Sequence, residues 1–153
     1  MSTGAPHPLD LRDPRQAGVY RVMQTDIAPL LALAHEQGVA LHALDLSDVH
    51  DRNGVIARVH AALSFPRDWG HNWDALADGL NDLSWLGEPA PRILLCHGIE
   101  QLQACAPTIQ ATLCDILEEA SQRWAAADMA FWTLLGLDRF TPECGNADPG
   151  SER

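Results

Sequence analysis

A chain of 153 residues, 46% apolar and with five tryptophans, is long enough to bury one sizeable core and too apolar to be disordered throughout. Its formal net charge of −11, with arginine as its only cationic residue besides histidine, disfavours nucleic acid and anionic membranes. The acidity by itself fits a cationic protein partner and general solubility equally well. No apolar run approaches the ~18 residues that span a bilayer, and the N-terminal stretch lacks a basic and an apolar leader region, so a cytoplasmic location is expected.

Residues 1–16 and 138–153 mix proline, glycine and charge without periodicity and read as poorly ordered tails around one domain, 17–137. "GVYRV" (18–22) predicts a short strand. Asp26 is placed to cap a helix with Pro29 in its first turn, an apolar face of Leu30, Leu31, Leu33 and Ala34, and Gly38 at its end. "VALHALDL" (39–46) predicts the next strand, and Asp48 or Asp51 then caps a helix through Val55, Ile56, Val59 and Leu63. Pro66 breaks that helix, "RDWG" (67–70) makes a loop, and Asn72 is placed to cap a helix over 73–85. "PRILLCHG" (91–98) is apolar enough for a strand buried on both faces. Pro107 starts a long helix with a stripe of Ile109, Leu113, Ile116, Leu117 and Trp124, and "DMAFWTLLGL" (128–137) is the last strand. Such alternation implies an α/β fold, a small parallel sheet of four strands covered by helices.

The helix after Pro66 carries the informative charges. At 100° per residue Trp73, Leu76, Leu80 and Leu83 form a core stripe, while Asp74, Asp78 and Asp82 share the opposite arc, flanked by Asn81 and His71. No arginine lies three or four residues from these acids, although like charges four apart cost a helix a few tenths of a kcal/mol per pair. Three readings remain open for this face: a solvated surface, a docking surface for positive charge, or a hard-cation site at Asp74 and Asp78 in a metal-assisted hydrolase. The outer two acids would lie roughly 12 Å apart along the axis, too far to share one ion.

Other chemistry is sparse. Cys96, Cys105, Cys114 and Cys144 show no metal-like spacing, and Cys96 and Cys114 fall in apolar runs that predict buried free thiols. His97-Gly98 ends a strand, where a lone histidine is structural more often than a ligand. Ser47, Ser64 and Ser84 have no nucleophile-elbow context, and no phosphate loop or zinc motif is present. No catalysis, metal or cofactor is expected.

"FPRDWGHNWDALADGL" resembles the signature of the barstar family, intracellular inhibitors of secreted ribonucleases. Pro66, Trp69, Gly70, Asn72, Asp74, Ala75, Leu76 and Asp78 fit that pattern in register. The resemblance implies three family strands, here joined by one added N-terminal strand and helix (18–37), and a loop plus helix that plugs a nuclease active site. It implies that Asp78 enters the pocket for a substrate phosphate and that Asp74 supplies a neighbouring charge. Gly70 and Asn72 would shape the loop, with Asp68, Trp69 and His71 beside them. Glu119 is the best match for a further contact, with Glu118 as the alternative. Two positions depart from the pattern: Asp68 replaces an aromatic and Ala77 replaces a tryptophan. A cognate other than barnase follows, such as the toxin of a bacterial effector–immunity pair, bound by a chain that is monomeric when free. A barstar-fold interaction protein without a nuclease partner is the remaining alternative.

Overall fold

A computed structural model describes residues 9–137 of the chain. Along it run β1 (Val19–Met23), α1 (Gln24–Gln37), β2 (Ala40–Asp45), α2 (Arg52–Ala62), α3 (Trp73–Leu80), a 3-10 turn (Ser84–Leu86), β3 (Arg92–His97), α4 (Ile99–Cys105), α5 (Pro107–Ala126) and β4 (Phe131–Leu137). The strands form one four-stranded sheet in the spatial order β1-β4-β3-β2, every neighbouring pair parallel. The α/β class and the four-stranded parallel sheet are as the sequence predicts.

Strand order dictates which face each helix covers. The step from β1 to β2 crosses the sheet in one direction, whereas β2 to β3 to β4 returns in the other. Right-handed crossovers then place α1 on one face and α2 to α5 on the opposite face. The pleat of β3 divides accordingly. Leu94 and Cys96 join Val55, Ile56 and Val59 of α2, Leu76 and Leu80 of α3, and Leu113 and Leu117 of α5. Ile93 and Leu95 join Ile27 and Ala34 of α1, with Trp132 and Leu134 of β4.

Several boundaries differ from expectation, each for a physical reason. Residues 9–16 fall in the expected N-terminal tail, yet Leu11 is fully buried on the α1 face. Its N–H donates to Gln37 Oε1 (2.7 Å), and its carbonyl accepts from Trp132 Nε1 (2.8 Å). The rest of the expected tails, 1–8 and 138–153, lies outside the described residues. Helix α1 begins at Gln24, so Asp26 sits within its first turn rather than at the cap, still favourable beside the positive helix end, and Pro29 lies inside the helix. Asp51, not Asp48, caps α2 by accepting from Gly54 N–H (2.7 Å), while Asp48 pairs with Arg58 (3.1 Å). The sequence reading missed α4. It starts after Gly98, whose positive φ of 78° brings it against the Ser47 backbone so closely that a Cβ would collide. Strand β4 begins at Phe131 rather than at 128, because the chain turns at Asp128 with φ 64°. Cys96 is buried and Cys114 half-buried, both as free thiols, and burial pushes the Cys96 thiol up to about 12.

Candidate partner-binding site

The segment from Leu63 to Leu86 forms one loop–helix–turn unit on the α2–α5 face. Helix α2 ends as Phe65 N–H returns to the His60 carbonyl (2.9 Å), which turns the chain outward. Phe65 is buried and lies edge-on to Trp69 (6.0 Å) and Trp85 (4.8 Å). Trp69 N–H closes a turn onto the Pro66 carbonyl (3.0 Å), and its indole N–H donates to the Ala75 carbonyl (2.7 Å). The loop is therefore tied to the helix it precedes. Asn72 has the extended backbone of an N-cap, and its Oδ1 accepts from Ala75 N–H (2.8 Å). Gly70 packs so near Ala75 that an added Cβ would approach its Cβ to 2.9 Å.

Helix α3 buries Leu76, Gly79 and Leu80 and is held to α5 by Trp124 Nε1 donating to the Leu80 carbonyl (2.7 Å). Asp74 and Asp78, one turn apart, are exposed on its other side, and Asp68 and His71 are exposed on the loop. None of the three acids has a cationic partner: the ion pairs among the described residues are Arg15–Asp13 and Arg58–Asp48. Arg67 is exposed beside them.

Asp82 lies beyond the end of α3. The helix stops at Leu80 instead of 85, and Leu83 takes a left-handed conformation (φ 50°) that buries its side chain. The chain then folds back, so that Trp85 packs on Phe65 and Trp69 and donates its indole N–H to the Leu63 carbonyl (2.9 Å). Asp82 Oδ2 accepts from the Ser84 hydroxyl (3.1 Å). Of the three expected acids, α3 itself therefore carries two, with Asp82 in the turn that follows.

Glu119 lies on α5, exposed. Glu118 lines the groove beside β1, which leaves Glu119, 100° further round the helix, facing away from that groove. Ala77 is half-buried and leaves the ground between the two α3 acids low. Among the described residues no three His, Cys, Asp or Glu side chains converge on a metal-sized site, so Asp74 and Asp78 lack a third ligand of those types. His60 escaped the sequence reading. It is a buried residue of α2 whose ring stacks on Phe65 (4.4 Å) and lies 4.6 Å from the ring of His71. Its helical register with Ile56 signalled burial, but its loop neighbours could not be read from spacing.

The described residues thus form a small α/β domain that presents an acidic loop and helix on one face. Residues 39–136 match the family model for Barstar (barnase inhibitor). The match spans well over half of the 153 residues, and the chain is a member of the barstar family. No curated protein matches the sequence. The family match begins at the start of the β2 region, which leaves Leu11, β1 and α1 outside it.

Proposed function

We propose that this protein binds and occludes the cationic active site of a ribonuclease or nuclease toxin, stoichiometrically and without catalysis. The observation that carries the reading is the exposed Asp74–Asp78 pair, which forms no ion pair among the described residues and lies beside a loop that is braced from beneath. A nuclease active site is positive because it holds phosphates, and paired carboxylates on a rigid helix imitate that charge pattern and steer association. Asp78 enters the phosphate pocket, where a carboxylate accepts bidentate hydrogen bonds from arginine. Asp74 sits one turn earlier at the rim, Asp68 to Asn72 border the contact, and Glu119 adds a charge from α5. The protein acts in the cytoplasm, monomeric until it meets its partner.

The test compares wild type with Asp78→Ala against barnase and against basic ribonucleases captured from the host lysate. Breaking a desolvated charge pair costs about 3–5 kcal/mol, so the inhibition constant is expected to rise by about 10²-fold or more. Tm should stay nearly unchanged, because Asp78 is exposed and its side chain makes no hydrogen bond or ion pair among the described residues. Association should also slow steeply as salt rises. An inhibition constant indifferent to Asp78→Ala overturns the assignment.

A further inference from the structure

The recognition loop rests on a histidine that the proposed binding does not use. His60 is only 9% exposed, its ring lies nearly parallel to Phe65 (14°), and its Nε2 is buried with no hydrogen-bond partner among the described residues. Phe65 touches Trp69 and Trp85 in turn, so whatever moves the His60 ring moves the loop. On the loop itself His71, between Gly70 and the Asn72 cap, brings its ring to 4.6 Å at a 49° tilt.

We propose that His60 and His71 form a proton-operated latch that holds the loop 65–72 against α2 when neutral and releases it when charged. A neutral His60 tolerates its dry surroundings, whereas an imidazolium there carries a second N–H without an acceptor and meets a like charge across 4.6 Å. Along α2 the residues one turn earlier are Ile56 and Ala57, and from the loop the facing groups are Phe65 and His71. Among the described residues His71 is the one charged or titratable group found to act on His60; burial and that neighbour both lower the His60 pKa below its ordinary 6.5. The sign follows directly. The closed loop binds fewer protons than the open one, so closure is complete above about pH 6.5 and weakens as pH falls below it.

A second histidine near the end of α2 titrates in the same direction. His42 accepts from Arg92 Nη1 (3.2 Å) at Nε2 and donates from Nδ1 to the Ala62 carbonyl (3.2 Å), and burial together with Arg92 lowers its pKa. Its reach is through α2 and the neighbouring Trp85 bond, and Trp85 in turn packs on Trp69. The indole N–H of Trp69, bonded to Ala75, reports loop movement from either histidine, and a variant that removes His60 while keeping His42 tells the two apart.

Loss of closure would free the loop from a nuclease, a consequence that rests on the proposed function; the proton response of the free chain does not. Nitrogen-15 NMR of the full chain, titrated from pH 8 to pH 5, tests it. The His60 ring is expected to titrate below 6.5, with the Trp69 indole and the amides of His71 and Asn72 shifting at the same midpoint. His60→Phe keeps the stacked ring and removes the titration, and should abolish that shared transition while the His42 transition persists. His71→Asn should move the His60 midpoint upward by removing the facing charge. Loop signals that ignore pH in wild type, or that titrate identically in His60→Phe, overturn the latch. A normal latch together with no nuclease inhibition would strike the proposed function alone.

Discussion

Gly79 has no side chain because Phe65 occupies the space. A Cβ there would sit 2.7 Å from Phe65 Cζ, closer still to Cε2, and 3.1 Å from Trp69 Nε1. In a solvated helix, alanine at this position would gain about 1 kcal/mol in helix propensity. Here overpacking opposes that gain by about 1–3 kcal/mol, because Phe65 is buried and already packed against the rings of His60, Trp69 and Trp85. Gly79→Ala is thus expected to lower Tm by several degrees in thermal denaturation followed by circular dichroism. An unchanged or higher Tm would show that the aromatic cluster is slack. The residue scale also shows which acids could be read in advance. Asp74 and Asp78 stood out through their spacing and the missing arginines, both local properties. Asp82 looked the same by spacing, but the helix ends before it, in a turn set by Leu83 and Trp85. His60 was invisible, since its significance lies in rings contributed by the loop.

Helix α3 has eight residues, a little over two turns, and so depends on its ends. The Asn72 cap satisfies Ala75 N–H, and losing it costs about 1 kcal/mol. The first turn that frays is the one carrying Asp74, so Asn72→Ala should weaken partner binding as well as lower Tm, whereas Asn72→Asp should preserve both. Calorimetric titration and thermal melts on the two variants separate these effects. If Asn72→Ala left affinity intact, the cap would be dispensable for presenting the acids. Signals of this kind made most elements readable: Asn72, Gly38 at the end of α1 and Pro107 at the start of α5 follow rules that act within a turn. What escaped was decided by packing from elsewhere. The early stop of α3 lets Leu83 reach the core and Trp85 brace the loop, and α4 depends on the close approach of Gly98 to Ser47. Leu11 lies in a stretch without periodicity, and only the bonds to Gln37 and Trp132 reveal it as part of the core.

At the scale of the whole molecule, the boundary of family likeness is not the boundary of folding. The match starts at residue 39, but Ile93, Leu95, Trp132 and Leu134 are buried under α1 and Leu11. Uncovering these four side chains forfeits about 1.5–3 kcal/mol each, an amount comparable to the 5–15 kcal/mol that typically holds a domain together. A fragment beginning at residue 39 is therefore expected to be unfolded or aggregated. Expression yield, size-exclusion chromatography and circular dichroism check this directly. A soluble, cooperatively melting fragment would show that the N-terminal strand and helix are an accessory rather than a layer of the fold.

The position of β4 has a consequence for how the molecule comes into being. As the last of the described strands to be synthesised, it lies between β1 and β3 and joins residues near opposite ends of the described chain, Val19 with Thr133. Until Phe131–Leu137 has left the ribosome, β1 has no neighbour and the sheet is missing an inner strand. Pairings that close such long loops are slow to form. The acidic helix thus emerges early, on a scaffold still unfinished, and competence for binding arrives with the final strand rather than accumulating along the growing chain.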